Sequence, residues 1–168
     1  MSSLLKRQIA MVIAVFVTIT LLFTTFLFIQ RDEIKSVWTG NSGTSFYKIE
    51  QVKVEEVEYN WTVGLSVEEV RVGIRENENN HNQLHQFKEA VDEIIQQRVS
   101  LLFLGIYTVL LIVILTLLWR SKESSREITK LKAFLITAIC FLSVFIALKY
   151  IELNEFIERA NYYYYHLL

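Results

Sequence analysis

Cysteine, proline and charge within long apolar runs are scarce in this chain of 168 residues, which has one cysteine and no proline. Cys140 has no second cysteine with which to form an intrachain disulfide, so any region outside a membrane must be held together by packing. Three runs, Ile9–Ile29, Val99–Trp119 and Ala133–Ile151, carry no charge apart from Lys149. Each has the roughly 20 residues that a helix needs to cross about 30 Å of hydrocarbon. The sequence therefore predicts an integral membrane protein with three transmembrane helices.

The absence of charge in the runs also limits the chemistry expected of them. Pumps, ion-coupled carriers and intramembrane proteases generally need buried carboxylates or histidines along their path. The sequence has no Gly-x-Ser-x-Gly nucleophile motif and no Cys/His pairing with supporting context. We therefore expect no enzymatic activity, no catalytic residue and no cofactor.

The basic residues predict an orientation. Short loops rich in Lys and Arg stay on the cytoplasmic side, and acidic residues have little influence. Residues 30–98 carry eight basic and thirteen acidic side chains, whereas the N-terminal tail and residues 120–132 are basic. We expect the N-terminus inside and the C-terminus outside a bacterial cytoplasmic membrane. The inverted orientation is the alternative, since Arg31, Lys35 and Arg98 flank the membrane on the other side.

The runs and charges together predict seven segments. They are a cytoplasmic tail (1–8), transmembrane helix 1 (9–29), an acidic extracytoplasmic module (30–98), transmembrane helix 2 (99–119), a basic cytoplasmic loop (120–132), transmembrane helix 3 (133–151) and an extracytoplasmic helical extension with a Tyr-rich tail (152–168).

Alternating apolar residues predict strands at about 46–75 in the module. Residues 57–65 alternate with one parity and Val52 and Val54 with the other, which a bulge or break near Glu55 and Glu56 would explain. Residues 70–74 alternate again. A helix competes at 66–75, because Ser66-x-x-Glu69 has the form of a capping box. The strand is favoured.

Helical spacing follows at about 83–98, where the apolar residues are Leu84, Phe87, Val91, Ile94 and Ile95. No glycine or proline separates this stretch from the second run, so one continuous helix is predicted. A similar apolar stripe continues beyond Ile151. The predicted fold class is an α-helical membrane protein with three transmembrane helices and a small α+β extracytoplasmic module, built from residues 30–98 and the extension of the third helix.

His81, His85 and Glu89 are spaced four apart, and histidines at i and i+4 on a helix can share a transition metal. The residue after His81 is not the Glu of a zinc protease motif, and no fourth ligand is firmly placed, although Glu76, Glu78 and His166 are candidates. A solvated helix start is the principal alternative, and a pH-responsive histidine pair is another.

Two further features suggest contact surfaces. Ala10, Ala14 and Thr18 share one helical face, and Ser143 and Ala147 form a shorter equivalent, where a second backbone can approach closely. The sequence predicts packing between the chain's own helices there, with docking of another membrane protein as the alternative. The C-terminal tyrosines permit packing on the module, anchoring at the membrane interface or partner binding; they are Tyr162, Tyr163, Tyr164 and Tyr165.

These observations favour a non-enzymatic accessory, regulatory or sensing subunit whose module binds a partner protein or envelope component. The alternatives are a subunit of a transport or export complex and a divalent-metal sensor. The expected partners are the lipid bilayer and another membrane or envelope protein. Nucleic acid is not expected, because the basic loop is short and tied at both ends.

Overall fold

The computed structural model describes residues 3, 7, 10–18, 20–21, 37–53, 58–120 and 126–167. In this part of the chain, three helices and a four-stranded sheet are present. In chain order they are α1, which includes residues 10–18 and 20–21, β1 (Val37–Asn41), β2 (Phe46–Lys53), β3 (Glu58–Gly64), β4 (Val70–Arg75), α2 (His81–Arg120) and α3 (Arg126–Tyr165).

The chain forms two compact units. The sheet unit consists of Glu33–Ser100 with Lys149–Leu168, and the apolar unit consists of Met1–Asp32 with Leu101–Leu148. The sheet unit thus joins the segment between the first two apolar runs to the end of α3. The sequence predicted that residues 30–98 and the extension of the third helix, which overlap these two segments, form one α+β module.

The strands pair antiparallel in the order β1-β2-β3-β4, so that neighbours in sequence are neighbours in the sheet. The pairing register of β2 with β3 shifts between Gln51 and Lys53. This shift changes which side chains of β2 lie on each face of the sheet. It comes earlier in the chain than the break that the sequence predicted. The predicted bulge near Glu55 and Glu56 lies outside the described residues.

Strand β4 also contains a register shift, at Val72 and Gly73. Gly73 has a φ of 73°, in the left-handed region that glycine adopts most easily. Because of the shift, Arg71 pairs with Val63 and therefore lies on the same sheet face. The exposed side chain of Val72 lies outside the core.

The region 66–75 is strand only from Val70 onward. The Ser66 hydroxyl accepts hydrogen bonds from the backbone N–H groups of Glu68 and Glu69, at 3.3 and 3.1 Å. The capping-box pattern therefore stabilises the turn between β3 and β4, and no helix follows it. Strand β1 was not among the predicted strands.

One face of the sheet packs against the N-terminal half of α2. Trp61 and Val63 from β3 are fully buried, as are the predicted apolar positions of α2, except the partly buried Ile95. The end of α3 completes this core with Leu153, Ala160 and Tyr164. At about 25 cal/mol per Å² of buried apolar surface, this shared face is the main source of stability in a unit without disulfides.

Helices α2 and α3 are each long and apolar enough to cross a membrane. α2 is one helix through both the predicted module helix and the second run, and α3 covers the third run and its extension. Only residues 10–18 and 20–21 of the first run are described, and these are helical. The rest of that predicted span lies outside the described residues.

In the apolar unit, the small-residue stripes lie on exposed faces. Among the described residues of α1, Val12 packs against the apolar core of this unit, and the Phe16 ring centroid lies 4.7 Å from that of Tyr107. The expected packing positions on α1 and α3 are instead exposed; they are Ala10, Ala14, Thr18, Ser143 and Ala147. Helix packing at these residues stays a prediction.

Candidate functional site

A polar cluster lies where β4 leads into α2. After Arg75 the chain passes through a short turn that Asn77 and Asn80 stabilise. The Asn77 side-chain oxygen accepts from the backbone N–H of Asn80 at 3.0 Å, and the Asn80 oxygen accepts from that of Asn77 at 2.8 Å. The Asn80 amide also donates to the carbonyl of Arg75 at 2.8 Å. These bonds bring Glu76 beside the first turns of α2.

The Glu76 carboxylate contacts two histidines. Its Oε1 lies 2.5 Å from Nδ1 of His81 and 3.4 Å from Nε2 of His85. The two imidazole centroids are 4.3 Å apart. Glu76 has a 13% exposed side chain, whereas the side chains of His81 and His85 are 60% and 50% exposed. The two histidines thus present their rings to solvent around one nearly buried carboxylate.

The other oxygen of Glu76 is fixed from the sheet. The indole Nε1–H of Trp61 donates to Oε2 at 2.7 Å, and the Trp61 ring also meets the His85 ring edge to face at 5.5 Å. Since Trp61 is itself buried in the core, it holds the carboxylate in one orientation. Trp61 therefore belongs to the site, although no sequence pattern indicated this role.

The environment of Glu76 favours its charged form. Burial raises the pKa of the carboxyl group, but the hydrogen bonds from Trp61 and His81 and the electrostatic interaction with His85 and His81 oppose it, and the net effect lowers the pKa. The carboxylate is thus available as an anionic ligand at neutral pH.

Two cavities border the cluster. One of about 410 Å³ is lined by aromatic side chains of the sheet together with Glu76, His85 and Lys88. The other, about 500 Å³, is lined by Glu58, Tyr59, Glu76, Asn77, Glu78 and His81. Both cavities thus border the Glu76 carboxylate.

Glu89, the expected third ligand, lies elsewhere on α2. Eight residues separate it from His81, which is a rise of about 12 Å along a helix. It lines a different cavity of about 250 Å³ with Arg159 and Tyr163. His166 is also remote, since its ring stacks on Tyr162 at 4.1 Å and its Nδ1 lies 2.7 Å from the Tyr162 carbonyl oxygen. The structure thus brings Glu76, and not Glu89, to the two histidines.

The four tyrosines occupy different environments. Tyr164 is buried, with its ring centroid 6.2 Å from that of Phe87 and the guanidinium of Arg71 at 4.5 Å from its ring. Tyr163 is partly buried, and Tyr162 and Tyr165 are exposed. Tyr165 donates its hydroxyl to the Glu69 carboxylate at 3.4 Å. Tyr164 therefore belongs to the core, whereas Tyr162 and Tyr165 have exposed rings at the end of α3.

The cluster has the composition of a metal site. Among the described residues, Glu76, His81 and His85 are the group of three histidine or carboxylate side chains whose ligand atoms lie within 4.8 Å of one another. Imidazole nitrogens with one carboxylate are common ligands of zinc and related metals. Comparison with known proteins finds no matching family model, no matching curated protein and no matching solved structure.

Proposed function

We propose that this chain is a non-enzymatic integral membrane protein, an accessory, regulatory or sensing subunit whose sheet unit lies on the extracytoplasmic side and binds a partner protein or envelope component. One observation carries the proposal. α2 and α3 each supply an apolar stretch of membrane-spanning length and, in the same uninterrupted helix, a part of the sheet unit. A folded unit that shares its helices with candidate spans is suited to act at a membrane surface.

The charge distribution supports the proposed orientation. Basic residues in the N-terminal tail and in residues 120–132 favour a cytoplasmic position for both segments. The acidic segment 30–98 and the end of α3, which share the sheet unit, are then both outside. With little chain left in the cytoplasm between the runs, any response to binding passes to another protein.

The proposed partner surface is formed by β4, the turn before it and the end of α3. Three of its side chains are unusually exposed for apolar residues: Val67 at 94%, Val72 at 76% and Tyr165 at 55%. The hydrogen bond from Tyr165 to Glu69 places the end of α3 beside this turn. The bulge at Gly73 disfavours pairing of another strand with the edge strand β4. We therefore expect a partner to contact the exposed side chains of this surface.

Photocrosslinking tests this surface. A photoreactive residue at Val72 or Tyr165 of the full chain in its native membrane should capture one recurrent protein, since both positions face outward within the proposed surface. The measurement is the identification of the captured protein by mass spectrometry, compared between the two positions.

Thr39 provides the matched control. It is exposed on β1, at the opposite edge of the same sheet. The same probe there should not capture the protein found at Val72. Equal capture at both edges, or capture of lipid alone at Val72 and Tyr165, would contradict the proposed surface.

A second candidate function is a subunit of a multi-component membrane complex, such as a transport or export complex. It is favoured by the exposure of Ala10, Ala14 and Thr18, which leaves a small-residue face open to another helix. The Thr18 hydroxyl donates to its own helix, at 2.9 Å from the carbonyl of Ala14, so it does not have to find a partner elsewhere.

A paired substitution separates the two candidates. Replacing both Ala10 and Ala14 with Leu should dissociate the chain from such a complex, because the larger side chains prevent close approach of a second helix. On a native gel the chain should then migrate separately from the complex. Leu at the exposed positions Ile13 and Val17 is the control, since it leaves the small-residue face unchanged. An intact complex in the Ala10/Ala14 variant, with capture at Val72 preserved, would favour the first candidate.

A further inference from the structure

We propose that Glu76, His81 and His85 bind a divalent transition-metal ion of the zinc class at the start of α2 in the sheet unit. This inference goes beyond the proposed partner binding and does not depend on it. The ligand set comes from two different parts of the fold: two histidines from the first turns of α2 and a carboxylate from the turn after β4.

The spacing of the ligand atoms fits a tetrahedral ion. With metal bonds of about 2.0–2.2 Å, two ligand atoms of a tetrahedral site lie about 3.4 Å apart. Nε2 of His85 lies 3.4 Å from Oε1 of Glu76, which is already that separation. Nδ1 of His81 is closer, at 2.5 Å, and has to move outward by about 1 Å to accept the ion. Its exposed side chain has room to do so.

The surroundings prepare the carboxylate for this role. Metal ligands are usually oriented by a hydrogen bond from a neighbouring group. Trp61 supplies that bond to Oε2 of Glu76, which leaves Oε1 directed at the two imidazoles. Since Trp61 belongs to the core, the orientation of the ligand depends on the folded sheet.

The chemistry of the donors selects the class of metal. Calcium and magnesium require many oxygen ligands, whereas imidazole nitrogen suits zinc, cobalt, nickel and copper. The three protein ligands leave a fourth position, and the two cavities beside the cluster give water or another small ligand access to it. Three ligands with one open position are typical of zinc sites that exchange a ligand.

The test measures metal binding by the full chain in detergent micelles. Zn²⁺ is titrated against a chromophoric chelator, and Co²⁺ is added separately as a coloured probe of tetrahedral geometry. We expect one ion per chain. His81→Ala, His85→Ala and Glu76→Gln should each weaken binding by at least about 100-fold, because losing a direct ligand costs more than the 10- to 100-fold typical of an outer partner.

Two variants serve as matched controls. His166→Ala removes the remaining histidine of the chain, and Glu89→Gln removes the carboxylate at helical spacing from His85. Both should bind Zn²⁺ as the natural chain does. Amide hydrogen exchange of β3 in every variant shows whether the sheet unit is still folded, and a variant with lost protection is replaced by His81→Gln or His85→Gln.

Three outcomes would overturn the proposal. They are absence of Zn²⁺ and Co²⁺ binding by the natural chain, undiminished binding by folded variants of the two histidines, and an equal loss in His166→Ala. None of these outcomes bears on protein capture at Val72, so the failure of the metal site and the failure of the partner surface are distinguishable.

Discussion

Trp61→Ala should destabilise the sheet unit by about 3–5 kcal/mol, the usual cost of removing a large buried aromatic side chain. The indole is 1% exposed in the core between β3 and α2. Its removal leaves a cavity and also deprives the Glu76 carboxylate of a hydrogen-bond donor. A loss of this size is a large fraction of the 5–15 kcal/mol that stabilises an ordinary domain. Amide hydrogen exchange of β2 and β3 in the full chain measures it.

Trp61→Phe divides this effect into its two parts. Phenylalanine keeps much of the ring in the core but has no N–H for Glu76, so we expect a smaller loss, on the order of 1–3 kcal/mol. Trp119→Ala is the control, because this tryptophan is exposed in the apolar unit. Protection of β3 in Trp61→Ala equal to that in Trp119→Ala would contradict the assigned role of Trp61.

The sequence predicted the elements whose patterns are local. The spacing of Leu84, Phe87, Val91 and Ile94 predicted the buried face of α2, and the structure confirms it. The presence of helices together with a small sheet is also confirmed. Strand β1 escaped detection because it is five residues long and contains Gly40 and Asn41, residues that are typical of turns. It forms by pairing with β2, which is a contact that no local pattern reveals.

Which face of a helix or strand is buried was harder to predict than the helix or strand itself. The stripe of Ala10 and Ala14 identified a helical face, but the burial of Val12 and Phe16 depends on neighbours that the spacing does not specify. In β4, the bulge at Gly73 turns Arg71 toward the core face and over the Tyr164 ring. A strict alternation would have placed Arg71 on the opposite side from Ile74.

The candidate site also depends on contacts that local spacing does not reveal. Helical spacing identified His81 and His85 and then suggested Glu89, because residues four apart share a helical face. A single ion with bonds of about 2 Å cannot span the two turns, a rise of about 12 Å, from His81 to Glu89, so the third ligand has to come from outside the helix. Glu76 meets that need because the Asn77–Asn80 turn folds it back on α2. Only the three-dimensional turn selects Glu76 over the neighbouring Glu78.

Removing the basic residues from the proposed cytoplasmic segments should invert the chain in the membrane. The variant replaces seven side chains with Gln: Lys6, Arg7, Arg120, Lys122, Arg126, Lys130 and Lys132. Basic residues near the span ends determine orientation, and those that remain beside the first two runs, Arg31, Lys35 and Arg98, lie on the opposite side. The measurement uses a Cys140→Ser background with Thr39→Cys, labelled in intact cells by a membrane-impermeant maleimide. We expect strong labelling of the parent chain and protection of the seven-residue variant.

The acidic residues of the same loop provide the control for this experiment. Glu123→Gln with Glu127→Gln also changes the charge of residues 120–132, but acidic residues have little effect on orientation, so labelling at position 39 should stay strong. Protection of Thr39→Cys in the parent chain would place the sheet unit in the cytoplasm. The proposed extracytoplasmic partner would then be excluded, whereas the metal site, which needs only the folded sheet unit, would still stand.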